Sequence, residues 1–184
     1  MDRWNGISIL WDLQRQSADL SVYSDASGSW GCGAYGVSLK WCSRLQPLPI
    51  ATKELIPVIL AAAMWGKHWT GKIVLFKVDN TAVVEAINAT FCKDLHLMHL
   101  IRLLVFFAAY HNFWFHAAHI AGRDNRLADA LSRNNISFFS SQVPQPLPQP
   151  STVPPPLITL VTQKLTWMST SWMKLFNDTL HLLY

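Results

Sequence analysis

The sequence predicts a mixed α/β domain, and three observations carry that prediction. Residues 72–79 form a near-continuous apolar and β-branched run ending in Asp79, the pattern of a central buried strand. Upstream, three short strand-like stretches are punctuated by the turn chemistry of Gly28, Gly31, Gly33 and Gly36. Helical segments then alternate with strands, giving the order β-β-β-α-β-α-α-β-α.

Each element has a local cause. Residues 20–25 form the first strand, and Ser27-Gly28-Ser29 turns it into two further short strands at 30–35 and 37–42. Residues 46–49, Q-P-L-P, break the chain before a helix over 52–69, with Pro57 near its first turn and Glu54 in its opening turn. Gly71 stops that helix, and the central strand at 72–79 follows. Helices are expected over 81–89 and 94–111, the second with Asp94 as cap or first-turn acid. Residues 113–120 alternate well enough for another strand, Gly122 turns it, and 125–132 form a further helix carrying Asp129. Beyond Arg133 the character changes. Residues 136–156 are predicted to be a Pro- and Gln-rich linker, and 157–184, which lack a clear period, a weakly ordered tail or the stub of a following domain.

The 184 residues suit one domain of about 100–150 residues plus appendages. A hydrophobic content of 51% excludes general disorder, and nine tryptophans are many for a small domain. The formal net charge of +4 is compatible with a polyanionic partner without requiring one. Cys32, Cys42 and Cys92 form no C-x-x-C pair and are expected to be reduced, buried thiols in an intracellular protein of cytoplasm or nucleus. No uninterrupted apolar run marks a secretory signal at residues 1–20, so the sequons at Asn88, Asn135 and Asn177 are expected to be unmodified. Residues 95–115 are the most apolar stretch. His96, His99, Arg102 and His111 recur in it at helical spacing, so a buried amphipathic helix is expected rather than a membrane span.

Only eleven residues are acidic, yet Asp25, Glu54 and Asp79 sit beside apolar runs where an unpaired charge is costly to bury. With Asp129 they are placed where the predicted elements could bring them together. Hard oxygen ligands drawn from distant parts of a chain suit magnesium or manganese, and two such ions roughly 4 Å apart can drive phosphodiester hydrolysis. Each acid also has an ordinary structural role open to it. Asp25 could form an Asx turn, Glu54 could favour a helix dipole, Asp79 could cap the next helix, and Asp129 could be a solvated helical carboxylate.

The words Y-S-D-A-S-G-S-W-G-C-G, K-E-L, V-D-N and H-I-A-G-R-D-N-R-L-A-D-A-L-S-R occur in this order along residues 22–133. Together they resemble type 1 ribonuclease H, in the form carried by the reverse transcriptases of DIRS-type and gypsy-like retrotransposons. The most specific part is residues 119–133, H-x-x-G-x-x-N-x-x-A-D-x-L-S-R. The resemblance implies an RNase H-like fold over residues 20–135, a five-stranded mixed sheet flanked by helices, with a Pro-rich C-terminal tail. It implies a metal-dependent endoribonuclease that cuts the RNA strand of RNA/DNA hybrids. Asp25, Glu54, Asp79 and Asp129 would hold two Mg²⁺ or Mn²⁺ ions, with Asp25 and Asp79 bridging them. His119 would assist proton transfer or product release. Asn125 would touch substrate or brace its turn, Asn80 would contact nucleic acid, and Ser27 and Gly28 would lie where backbone amides approach a phosphate.

An RNA/DNA hybrid is read through its minor groove, and Lys40, Lys53, Lys72, Lys77, Arg123 and Arg126 are candidates to contact its backbone. The basic helix and loop that cellular enzymes insert between the two central helices has no counterpart, since only residues 90–93 separate them. Hybrid affinity would then depend on a reverse transcriptase domain in a parent polyprotein, of whose connection segment residues 1–19 would be a remnant. The alternative expectation is a catalytically weak, retroelement-derived fragment that serves as a nucleic-acid-binding or scaffold module.

Overall fold

The computed structural model describes residues 17–34, 37–142, 153–162 and 169–183. Five strands, β1 (Leu20–Ala26), β2 (Gly31–Ala34), β3 (Val37–Lys40), β4 (Ile73–Val78) and β5 (Trp114–His119), form one sheet in the order β3-β2-β1-β4-β5. β1, β4 and β5 run parallel, while β2 and β3 complete an antiparallel meander from β1. This is the mixed five-stranded α/β architecture predicted from the sequence. The parallel arrangement brings the C-terminal ends of β1, β4 and β5 to one edge of the domain. In open α/β sheets that edge is where ligands bind.

The hairpin turn has a local cause. The Ser27 hydroxyl accepts from the backbone N–H groups of Trp30 and Gly31, at 2.8 and 3.0 Å, and the Ser27 amide donates to the Gly31 carbonyl. Side-chain alternation along β1 then buries Val22, Ser24 and Ala26 on one face and leaves Tyr23 exposed on the other.

Helix α1 (Ile50–Trp65) begins directly after Pro49 and is buried from Thr52 through Ala63, so it is a central helix rather than a surface one. It starts two residues earlier than expected and gives way to a 3₁₀ turn at Gly66–Trp69. Pro57 is therefore the eighth residue of the helix, where it removes the bond to the Lys53 carbonyl. Glu54 is the fifth residue, outside the opening turn to which it was assigned. Helix α2 (Thr81–Ala89) is capped by the Asn80 side chain, and α3 (Leu95–His111) by Asp94, whose carboxylate accepts from the amides of His96 and Leu97. At the outer edge of the sheet Asn88 brackets β5: its amide oxygen accepts from the Ala117 N–H at 2.8 Å and its amide nitrogen donates to the Ala117 carbonyl at 2.9 Å.

Helix α4 (Arg126–Ser132) lies across β1 and β2. A Cβ on Gly33 would collide with the Leu131 side chain, so glycine is what permits this close approach. Cys32, the neighbour of Gly33 on β2, points to the opposite face and is buried. Cys42 is exposed and Cys92 half-buried, so only one of the three thiols has the burial expected of all three.

The tail differs most from expectation. Residues 136–142 form helix α5 (Ile136–Gln142), and the described parts of the tail form α6 (Pro155–Thr162) and α7 (Thr170–Leu183). Residues 143–152 of the Pro- and Gln-rich linker and residues 1–16 lie outside the described residues. Leu157, Leu160, Trp172 and Phe176 join the main core. Phe176 meets Phe106 and Phe107 of α3 at ring-centroid distances of 4.5 and 5.4 Å, and the Trp172 ring stacks on it at 5.1 Å. The buried positions Trp172, Phe176 and Thr179 recur at helical spacing. Polar residues between them obscured the period.

Phe176→Ala is expected to destabilise the protein by about 3 kcal/mol by emptying this aromatic contact. Leu182→Ala, at a side chain that is 61% exposed, is expected to stay within about 0.5 kcal/mol of the parent. Urea denaturation followed by tryptophan fluorescence measures both, and equal midpoints for the two variants would contradict the packing.

Candidate metal centre

Asp25 and Asp79 are brought together by strand register. Tyr23 pairs with Lys77 across β1 and β4, and continuing that register by two residues sets Asp25 beside Asp79 at the strand ends. Glu54 reaches the same place from α1. One carboxylate oxygen from each of Asp25, Glu54 and Asp79 lies within 4.8 Å of the other two. These three acids, which are 25 positions or more apart in sequence, form one centre.

The ordinary structural roles fail for these three. Asp25 lies within β1, opposite Gly33, and the turn is held by the Ser27 side chain instead. Asp79 is not the cap of α2, because Asn80 takes that role. Glu54 is beyond the first turn of α1, where the helix dipole would favour it.

Asp129 behaves differently. Its Oδ1 accepts from Arg133 Nε at 2.6 Å, four residues along α4, and the side chain is 42% exposed. The ordinary role of a helical carboxylate therefore describes Asp129, and the oxygens that converge are those of the other three acids. Its helix is nonetheless tied to the centre: the Ser132 hydroxyl, one turn along, donates to Asp25 Oδ2 at 2.5 Å.

Burial sets the electrostatics. Glu54 is only 5% exposed, and burial, followed by the charges of Asp79 and Asp25, pushes its carboxyl up to about 9 against a hydrogen bond to the Ala26 backbone. Burial raises Asp25 as well. The Ser132 bond opposes that rise, the charges of Asp79 and Asp129 add to it, and Arg133 lowers it again. The buried Cys32 thiol is pushed well up by burial and by Glu54 and Asp25, which keeps it protonated and out of a ligand set.

Glu54 Oε2 is buried and has no hydrogen-bond partner. An unpaired buried carboxylate oxygen facing two more carboxylates is costly to ionise unless a cation is present. Oxygen-only donors of this kind fit a hard divalent cation such as Mg²⁺ or Mn²⁺, and the three residues present satisfy that fit.

The remaining predicted residues divide. His119 ends β5 in register with Val78, the residue before Asp79, and is exposed at the same edge. Asn125 is 1% exposed and donates through its amide nitrogen to the Ser24 carbonyl at 2.8 Å, which gives it the bracing role. Asn80 caps α2 and is half-buried. Ser27 is buried within its turn, and Gly28 is exposed with its carbonyl held by Lys53 Nζ at 2.7 Å. Lys53 is itself 4% exposed and lies 5.6 Å from the Trp41 ring centroid, so it clamps the turn rather than facing a ligand. Lys40, Lys72, Arg123 and Arg126 are exposed, and Lys77 is half-buried.

Sequence reasoning gave no separate role to Ser132, Arg133 or Trp41. The spacing of Asp129 and Arg133 could have revealed their pair. Nothing local could have revealed that Ser132 meets an acid 107 positions away. No protein-family model matches the chain, and no curated protein matches it.

Two outcomes are expected. A Gly33→Ala side chain pushes α4 outward and costs about 2 kcal/mol in a urea melt, together with the Ser132–Asp25 bond. An unchanged midpoint would contradict the close approach. The second concerns pH. Because the Glu54 pKa rises on folding, from 4.5 to about 9, the folded metal-free protein holds a proton that the unfolded chain releases. This stability is fully present below pH 4.5 and is lost as pH rises toward 9. Glu54→Gln is expected to remove that dependence and to stabilise the metal-free protein by on the order of 2 kcal/mol at neutral pH. Denaturation in chelator across that range checks it, and identical pH slopes for variant and parent would count against it.

Proposed function

We propose that this chain is a divalent-metal-dependent endoribonuclease of the type 1 ribonuclease H kind, derived from a retrotransposon polyprotein, that cuts the RNA strand of RNA/DNA hybrids. One observation carries the reading: two buried carboxylates and one half-buried carboxylate converge within 4.8 Å at the C-terminal edge of parallel strands, and one of their oxygens has no partner. The order of the four sequence words and the mixed five-stranded sheet support it.

In this reading Asp25, Glu54 and Asp79 hold a magnesium or manganese ion. Such ions supply an activated water and stabilise the leaving oxygen of an in-line displacement. The protein residues do the rest. Ser132 fixes the orientation of Asp25 by donating to Oδ2, and the Lys53–Gly28 clamp holds the turn that follows it. Burial around Glu54 keeps bulk water from the carboxylates and strengthens their hold on the cation. His119, at the exposed end of β5, would assist proton transfer or product release. The products would carry 3′-hydroxyl and 5′-phosphate ends. Lys40, Arg123 and Arg126 are exposed cations available to the hybrid's phosphates, with a reverse transcriptase domain of the parent polyprotein as the natural source of further grip.

The join between α2 and α3 favours a second reading. It is confined to Thr90–Asp94, which leaves no room for a basic substrate handle. A module that binds nucleic acid, or acts as a scaffold, with little turnover is then the alternative. Gel cleavage of a labelled hybrid with magnesium separates the two. The parent chain is expected to cut the RNA strand, and Asp79→Asn to lower the rate by at least about 100-fold, the loss of several kcal/mol of metal-borne stabilisation. Equal cleavage by both proteins would sink the nuclease reading. Manganese binding without cleavage would favour the alternative.

A further inference from the structure

We propose that Arg133 is a resident counter-cation that holds Asp129 away from the three-acid centre, so that a second divalent ion enters only by displacing it. The inference rests on reading that centre as a metal site. It makes metal loading sequential, with the first step belonging to Asp25, Glu54 and Asp79 and the second to Asp129.

Placement is the first support. Ser132 and Asp129 are three residues apart on α4 and so lie on one face of the helix, and Ser132 already touches Asp25. Asp129 therefore lies on α4 one turn before the residue that touches the centre. The carboxylate is engaged instead by Arg133, whose Nε lies 2.6 Å from Asp129 Oδ1. The same guanidinium also acts electrostatically on Asp25, opposing the rise that burial imposes on its carboxyl.

Charge is the second. A guanidinium cannot lose its proton in a protein, so Arg133 stays charged and competes with any other cation for the Asp129 carboxylate. The pair is accessible, with the arginine side chain 63% and the aspartate 42% exposed, and exposed pairs of this kind are weak enough to be exchanged. The first step faces no such competitor, since Glu54 Oε2 is buried and unpaired.

Calorimetric titration of the full chain with manganese alone tests this on the parent, Arg133→Gln, Asp129→Asn and Asp79→Asn, with circular dichroism confirming that each is folded. The parent is expected to bind one ion tightly and a second weakly. Arg133→Gln should strengthen the second step by roughly three- to tenfold and leave the first within about twofold, in keeping with the modest strength of an exposed pair. Asp129→Asn should abolish the second step and retain the first. A second step that is unchanged in Arg133→Gln, or absent from both that variant and the parent, overturns the counter-cation while leaving the first site intact. If the parent takes no manganese, or Asp79→Asn takes it as well as the parent does, the centre is not a metal site and both readings fall together.

Discussion

Repulsion among three converging carboxylates, two of them buried, is the constraint around which the rest of the domain is arranged. Asp25, Glu54 and Asp79 converge where two parallel strands end and a buried helix passes, and ionising Asp25 and Glu54 without a cation is opposed by their burial and by the neighbouring carboxylate charges. A fold selected for stability alone would place apolar side chains there, since α1 is otherwise buried along most of its length. That the acids persist in such a setting makes the centre a functional candidate on physical grounds.

The neighbours of the centre are best understood as devices that fix it. Gly33 lets α4 sit close enough for the Ser132 hydroxyl to reach Asp25, and Asn125 ties the start of the same helix to the Ser24 carbonyl. On the other side Lys53 and Trp41 hold the turn after Asp25, through the carbonyls of Gly28 and Ser27. Two clamps thus act on the residues flanking one aspartate. Asp129 is held differently, by an accessible arginine four residues along its own helix.

Much of this was legible from the sequence because it is written locally. The apolar run that became β4, the Asp94 cap and the Ser27 turn depend on neighbours a few positions away, and each formed where expected within a residue or two, whereas the cap of α2 fell to Asn80 rather than Asp79. The three converged acids were legible as candidates, but their distances depend on register between β1 and β4, which no local pattern encodes. Glu54 was misplaced by a turn because Pro57 was taken to mark the first turn of a helix that in fact begins at Ile50. The helical stripe of Trp172 and Phe176 was not legible, because it finds its meaning only against α3. Lys53 looked like a surface cation, and only the packing of Trp41 reveals that it is enclosed.

The bracket that Asn88 makes on β5 has a consequence of its own. β5 is the outermost strand, and an outermost strand offers open backbone groups on which another chain can extend the sheet. By filling both groups of Ala117 with one side-chain amide, Asn88 imitates a neighbouring strand and interrupts the row that an incoming chain would need. Asn88 is also the first residue of an N-A-T sequon. The nitrogen that would carry a sugar is the one already bonded to the sheet, so in this fold edge protection and glycosylation exclude one another at the same atom.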